Sequence, residues 1–347
     1  MVKKLRWGVI GSCGIARRRT IPEGIVPSAN GELAAVYDVN SAANSQVARQ
    51  FSATPVASID DLLSRSDVVY VATPNYLHCA QVLACAEAVR PVLCEKPLGI
   101  TVAEADQMRA ACRRAGVQLG TAFMMRFVAQ HQTAARLIRE GKLGKLTYGR
   151  AQLSCWYPPI DGAWRQVPEL GGGGALMDMG GHCIDLLEMF FGPARQVSCL
   201  VNRTVHAYPS EDSAVVLLRF DTAMATVDTF FCIPDSSSRN ALELYGSHGS
   251  ILAQGTIGQA AAGTMRAYLA REGTSYDARQ DRAAGDGVAM EPPPINPYRA
   301  EIEEFAQAVI DGREPAHGAE LGVRSQHVLA ACYESARSRR VVDIAWT

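Results

Sequence analysis

The chain has 347 residues, more than one hydrophobic core usually serves, so two packed domains are expected. Hydrophobic residues make up 48% and charged residues 20%, the balance of a folded globular protein and not of a disordered one. Lys and Arg number 34 against 35 Asp and Glu, and the net charge of −1 excludes a strong electrostatic hold on nucleic acid or an anionic membrane.

Residues 1–6 carry the basic charge of a signal n-region, but the apolar run behind them, 7–10, stops at Gly11. That is too short for a signal h-region, and the run reads as a first strand. No stretch reaches the roughly 18 uninterrupted apolar residues of a membrane helix. Ten cysteines are spread along the chain with no C-x-x-C spacing. Most lie in apolar runs and are expected to be reduced core residues in a cytoplasmic protein.

The first third alternates strand and helix signals. Apolar runs at 6–10, 32–37, 67–72, 92–94 and 117–123 are separated by helix-like segments at 41–51, 78–88 and 102–115, with a short helix from Asp60. Short continuous apolar strands between helices predict a parallel sheet covered on both faces. Beyond residue 123 a helix at 130–140 leads into β-like runs at 146–157, 196–205, 213–220, 224–232 and 240–245. Strands without intervening helices predict a mostly antiparallel sheet. The run Gly171-Gly172-Gly173-Gly174 reads as a flexible turn, and the polar, then Pro-rich stretch 281–297 as a surface loop. Helices at 299–311 and 320–338 close the chain.

Gly11-Ser12-Cys13-Gly14-Ile15-Ala16 follows the first strand and opens a helix. It approaches the dinucleotide pattern G-x-G-x-x-G/A, with Cys13 where the middle glycine belongs, and free N–H groups at a helix start suit a phosphate. A plain strand–helix turn would look similar. Asp38, at the end of the second strand, can accept hydrogen bonds from both ribose hydroxyls and repel a 2′-phosphate, which favours NAD over NADP. Arg17, Arg18 and Arg19 read as a solvated helix face.

Two further pieces carry chemistry. Glu95-Lys96-Pro97 ends a strand at the edge where ligands bind in open α/β sheets, so Lys96 aims at the cofactor crevice. The peptide before Pro97 is a candidate for cis. In Asp178-Met179-Gly180-Gly181-His182-Cys183-Ile184-Asp185, helical spacing puts Asp178, His182 and Asp185 on one face. His182 can exchange a proton near neutral pH, although a capping Asp and a satisfied core His fit the local sequence as well. No third ligand at a convincing spacing supports a metal site.

The glycine turn, Thr73-Pro74-Asn75 with His78, Glu95-Lys96-Pro97 and Asp178-x-Gly180-x-His182-x-x-Asp185 occur in an order that resembles the glucose–fructose oxidoreductase / inositol dehydrogenase / rhizopine-catabolism (Gfo/Idh/MocA) family over nearly the whole chain. The resemblance implies α/β plus α+β architecture: an N-terminal Rossmann doubly wound parallel sheet in residues 1–122, and a substrate-binding and oligomerisation domain in 123–347 with an open, mostly antiparallel sheet and helices. It implies NAD as cofactor, NADP being less favoured, and hydride transfer to or from a secondary carbinol of a sugar, sugar derivative or cyclitol. Lys96, Asp178 and His182 match the family's catalytic set, and with Arg126 they are expected to touch substrate. Gly11, Ser12, Cys13, Gly14, Ile15, Asp38, Thr73, Pro74, Asn75, His78, Glu95 and Lys96 match cofactor-binding positions. Trp164, Arg165 and Tyr298 match such positions in the sugar-reductase branch, which often prefers NADP; Asp38 departs from that. A homodimer or homotetramer through the C-terminal sheet is implied. A keto-sugar reductase and an NAD-dependent redox-assisted glycosidase stay open as alternatives.

Overall fold

The computed structural model describes residues 4–259, 262–270, 276, 278 and 285–345. The first three residues of the basic N-terminal stretch and residues 281–284 of the polar loop lie outside the described residues. Six strands form the first sheet: β1 (Leu5–Ile10), β2 (Gly31–Tyr37), β3 (Thr54–Pro55), β4 (Val68–Val71), β5 (Val92–Cys94) and β6 (Leu119–Thr121). They run parallel in the order β3-β2-β1-β4-β5-β6. The order reverses at β1, so a crevice opens there beyond the carboxyl ends of β1 and β4, where such sheets take ligands. All four residues of β4 are buried, as the unbroken apolar run predicts for a sheet covered on both faces.

Helix starts follow side-chain caps. Asn40, Ser58 and Thr101 accept the N–H of Ala43, Asp61 and Glu104, satisfying donors that the first turn of each helix leaves free. The helix Val102–Ala115 ends at left-handed Gly116, and Pro297–Asp311 at Gly312. The latter helix returns to the first domain: Ile302 and Phe305 share a core cluster with Trp7, Val9 and Tyr70.

The second sheet contains β7 (Leu146–Ser154), β8 (Gln196–Asn202), β9 (Ser213–Arg219), β10 (Met224–Phe230), β11 (Ala241–Gly246), β12 (Gly249–Gln254), β13 (Thr264–Leu269), β14 (Val288–Ala289) and β15 (Val342–Asp343). Its order is β14-β13-β12-β11-β7-β10-β9-β8-β15, antiparallel except at the central pair β7–β10. The run expected as one strand to residue 157 leaves the regular ladder after Ser154 but keeps a bridge, Trp156 to Cys232. Helices Gly181–Phe191 and Ala319–Ser338 pack on one face of this sheet. On the other face Leu200, Val215, Leu217 and Met224 stand 46–74% exposed. All ten cysteines are unpaired thiols. Among the described residues no helix is long and apolar enough to cross a membrane.

His131 illustrates how burial sets acid sensitivity. It is fully buried, with Nδ1 2.8 Å from the Met125 carbonyl oxygen and Nε2 3.2 Å from the Thr256 hydroxyl. Burial lowers its pKa to about 4. The unfolded chain therefore takes a proton near pH 6.5 that the native state refuses until about 4, and stability falls as pH drops through that window. Of the decline between pH 7.5 and 5, about 2 kcal/mol is assigned to His131. Urea midpoints of wild type and His131→Asn at the two pH values check this; an unchanged pH slope in the variant contradicts it.

Candidate active site

Residues from both domains line one cleft of about 870 Å³. Its first wall is the turn after β1. Gly11 has φ +85°, and a Cβ there would lie 2.8 Å from both the carbonyl carbon and the oxygen of Ala72, so only glycine fits. The Ser12 hydroxyl is buried and donates to Asn44 Oδ1 at 2.8 Å. Cys13 donates its N–H to Asp38 Oδ2 at 3.1 Å, and Asn40 donates its own to Oδ1 at 3.0 Å. Gly14 and Ile15 line the cleft and lead into a widened, π-type helix, Ala16–Ile25, in which the Val26 N–H reaches back to the Ile21 carbonyl. The three arginines divide: Arg18 is exposed at the cleft rim, whereas Arg19 lies over the Tyr298 ring at 5.3 Å and pairs with Glu23. The expectation of a uniformly solvated arginine face fails at Arg19, because the returning helix Pro297–Asp311 places an aromatic surface beside it.

The second wall joins two loops. His78 is buried, with Nδ1 2.9 Å from the Pro97 carbonyl and Nε2 2.9 Å from that of Thr73. It ties the Thr73-Pro74-Asn75 loop to Glu95-Lys96-Pro97, whose Lys96–Pro97 peptide is cis. Burial outweighs these two carbonyl partners and lowers the His78 pKa to about 4. Glu95 accepts from the Tyr70 hydroxyl, and Tyr70 in turn is 2.9 Å from the Thr20 hydroxyl. Burial raises the Glu95 pKa, against the opposing pull of Lys96 and Tyr70.

Lys96 reaches across the cleft. Its Nζ donates to the Asp178 carbonyl at 2.8 Å and to Asp178 Oδ1 at 3.0 Å. Arg165 Nε sits 3.1 Å from the same Oδ1, its guanidinium 4.1 Å above the Trp164 ring. Burial disfavours charge on Asp178, but Arg165 and Lys96 prevail and hold its carboxyl well below the usual range. His182 responds oppositely: burial, reinforced by the Lys96 charge, lowers its pKa well below 6.5. The imidazole is therefore neutral at physiological pH. Its Nδ1 is buried without a hydrogen-bond partner among the described residues, leaving Nε2 to face the cleft that His182 lines.

The four glycines before this helix are packed, which corrects the reading of a flexible turn. A Cβ on Gly173 would lie 1.9 Å from the Tyr333 hydroxyl, and one on Gly174 2.0 Å from the Glu211 carbonyl oxygen. Asn75 Nδ2 donates to the Gly171 carbonyl at 2.8 Å, fastening the run to the first domain. Buried Glu211 fixes the far end. Its Oε1 accepts from Gly174 N–H at 2.8 Å, Leu176 N–H at 3.0 Å and the Tyr333 hydroxyl at 2.9 Å. Glu211→Ala orphans all three donors and is expected to cost about 2–4 kcal/mol in a urea titration. Glu211→Gln, which retains Oε1, is expected to lose less; equal losses contradict the assigned bonds.

Asp178 lies in a π-type turn, Leu176–Gly180, ahead of the helix Gly181–Phe191. Asp178 and His182 line the cleft and Asp185 does not. The wide turn breaks the regular periodicity, and Asp185 meets Arg126 instead: Arg126 Nε lies 2.9 and 2.8 Å from the two carboxylate oxygens. Arg126 is thus held in an inter-element ion pair and is not among the cleft-lining residues. Ser12, Cys13 and His78 also stand outside the lining, whereas Gly11, Gly14, Ile15, Asp38, Thr73, Pro74, Asn75, Glu95, Lys96, Trp164, Arg165 and Tyr298 belong to it. Sequence reasoning did not single out Gln81, Cys155 or Asn240, which line the cleft too. None sits in a recognisable motif.

These residues suit a dinucleotide. Gly11 keeps the turn tight against Ala72 at the cleft, the start of the first helix faces the cleft, and Asp38 stands at the end of β2 where a ribose is held. Comparison with known proteins agrees with this architecture. Residues 5–123 match the model of the GFO/IDH/MocA oxidoreductase family with an NAD-binding Rossmann fold, and residues 131–252 match the GFO/IDH/MocA C-terminal domain. A D-xylose 1-dehydrogenase (NADP(+)) of Haloferax volcanii is 30% identical over 98% of this chain and 100% of its own. A 1,5-anhydro-D-fructose reductase of Ensifer adhaerens is 29% identical over 98% of each chain. The crystal structure of an aldose–aldose oxidoreductase from Caulobacter crescentus complexed with glycerol superimposes with a TM-score of 0.88 at 26% identity, covering 98% of this chain and 100% of that one. With both domains matched and relatives aligned from end to end, the chain belongs to the Gfo/Idh/MocA family of oxidoreductases.

Proposed function

We propose that this oxidoreductase transfers a hydride between a nicotinamide cofactor, preferably NAD, and a secondary carbinol of a sugar, sugar derivative or cyclitol. The observation that carries this reading is the convergence of Lys96, Asp178 and neutral His182 in the cleft that the glycine turn opens. A nicotinamide held in that cleft would supply the hydride acceptor for oxidation and the hydride donor for reduction. His182 Nε2 accepts the carbinol proton on oxidation and returns it on reduction. Lys96 Nζ, steered by Asp178, donates to the reacting oxygen and stabilises its developing negative charge. Arg165 helps to keep Asp178 ionised, so the carboxylate holds Lys96 in place throughout the pH range in which His182 is neutral. The sugar class is supported by the sugars that the relatives' names carry. Mixing the purified protein with NAD⁺ or NADP⁺ and a panel of hexoses, pentoses and inositols, while following reduced-nicotinamide absorbance, tests the reading. Silence with every polyol, and with every corresponding ketone given NADH or NADPH, contradicts it.

NAD preference rests on Asp38. Its carboxylate lies in the cleft next to the glycine turn, where it repels a 2′-phosphate. Asp38→Ala is expected to raise the KM for NAD⁺ about tenfold and to shift the NAD⁺/NADP⁺ ratio of kcat/KM toward NADP⁺ by a similar factor. An unchanged ratio removes the argument. The exposed face of the second sheet, with Leu200, Val215, Leu217 and Met224, supports assembly into a homodimer or homotetramer through that face. The ten unpaired thiols support a cytoplasmic setting.

A further inference from the structure

Asn240 is a cleft-lining residue that the catalytic and cofactor roles above leave unused. It precedes β11 and is one of four non-glycine residues with positive φ among the described residues, at +46°. Asparagine tolerates this left-handed conformation better than most side chains, yet the position is a constrained one. Three bonds hold it. Its backbone carbonyl accepts from the Gly255 N–H at 3.1 Å. Its side-chain Oδ1 accepts from the Ser154 N–H at 3.0 Å and from the Ser238 hydroxyl at 2.5 Å. A backbone N–H can only donate, so the Ser154 contact settles which amide atom is oxygen. Nδ2, with two N–H donors, is left with no bond to the protein among the described residues and is not among the buried unpartnered atoms.

Its surroundings place this free donor near the chemistry. Ser154 ends β7, and the next residue, Cys155, lines the same cleft. The Cys155 thiol, pushed up to about 12 chiefly by burial, is raised further by the charges of both Asp178 and Asp235. Asp178, Cys155, Asp235 and Asn240 thus line one cleft around the end of β7. Asp235, exposed on that loop, also lines the cleft and can only accept when ionised.

We propose that Asn240 is a specificity-determining residue: its fixed Nδ2 donates to a substrate oxygen away from the reacting carbon, with the Asp235 carboxylate available to accept from a neighbouring hydroxyl. A pinned donor and an exposed acceptor lining the same cleft match a vicinal diol, the unit that sugars and cyclitols present repeatedly. Because the amide is pinned in advance, recognition carries little of the ordering cost that a free side chain incurs. The inference rests on the proposed sugar or cyclitol reading and deepens it.

Asn240→Asp is the informative change. It keeps an oxygen for Ser154 and Ser238 and replaces the donor by an acceptor. Asn240→Gly keeps the left-handed backbone and removes the side chain altogether. The substrate found in the polyol screen, with D-xylose, D-glucose and myo-inositol among the probes, is titrated against wild type and both variants at saturating NAD⁺. The expected result is a KM for the polyol raised about tenfold or more in both variants. The loss should fall on KM rather than on kcat, with the KM for NAD⁺ little changed; the melting temperature should hold in Asn240→Asp and fall in Asn240→Gly, which orphans the Ser154 N–H. Monodeoxy analogues give a second reading. One of them should bind wild type about tenfold more weakly and show no such penalty in Asn240→Gly. An unchanged polyol KM in both variants overturns the assignment while leaving the oxidoreductase reading intact. Failure of NADH-loaded wild type to bind any polyol in saturation-transfer NMR overturns that reading, and the role of Asn240 with it.

Discussion

Replacing Lys96 by Met is expected to lower kcat by about 10³-fold or more while the affinity for NAD(H) changes by less than about threefold. The side chain is 11% exposed, and both hydrogen bonds from Nζ go to Asp178. Methionine fills nearly the same volume, so the expected loss is that of the charge proposed to meet the reacting oxygen and not of packing. Asp178 keeps Arg165 as counter-ion, which limits structural damage. Gly11, Gly14 and Asp38, proposed to meet the cofactor, lie on other elements. Stopped-flow turnover and a fluorescence titration with NADH separate the two effects. A kcat within tenfold of wild type removes Lys96 from the chemistry; a comparable collapse in NADH affinity makes it a cofactor ligand instead.

Gly174→Ala is expected to be the most destabilising small substitution in the site. The added Cβ would lie 2.0 Å from the Glu211 carbonyl oxygen and 3.0 Å from its carbon. Those atoms belong to backbone that accepts the Ala175 N–H at 3.1 Å, so neither side yields without losing a hydrogen bond. The expected cost is about 3 kcal/mol or more, read as a fall in melting temperature of about 4 °C or more. Gly181→Ala serves as the control. Its nearest non-local atoms are 3.7 and 3.9 Å away and it lies in a helix, where alanine is preferred. That variant should match wild-type stability or exceed it. Equal behaviour of the two contradicts the packed reading of the glycine run.

The parallel half of the fold was legible because its signals are local. Unbroken apolar runs such as Val68–Val71, ended by Thr73-Pro74-Asn75, have few other solutions. The strands Gly249–Gln254 and Thr264–Leu269 escaped notice because each is rich in small or polar residues and owes its place to the neighbouring ladder. Lys96, Asp178 and His182 could be singled out from short motifs, but the two contacts that set their electrostatics could not. Arg165 meets Asp178 across the glycine run, Lys96 beside His182 joins segments far apart in the chain, and burial, which keeps His182 neutral, is a property of the assembled fold. Arg126 is likewise defined by the assembled fold, its guanidinium pairing with Asp185 59 residues on. Asn240 carries no motif; its significance comes from a left-handed backbone and an amide fixed at one end.

The most direct test of the central claim follows the hydride itself. A polyol active in the screen, deuterated at its carbinol carbon, is incubated with NAD⁺ and the protein, and the released nicotinamide is examined by NMR. The account predicts stoichiometric deuterium at C4 of the reduced nicotinamide, on one face of the ring, with the signal lost in Lys96→Met. Product formation with no deuterium on the released cofactor would contradict net hydride transfer in this cleft and point to chemistry in which any hydride removed is returned to the substrate.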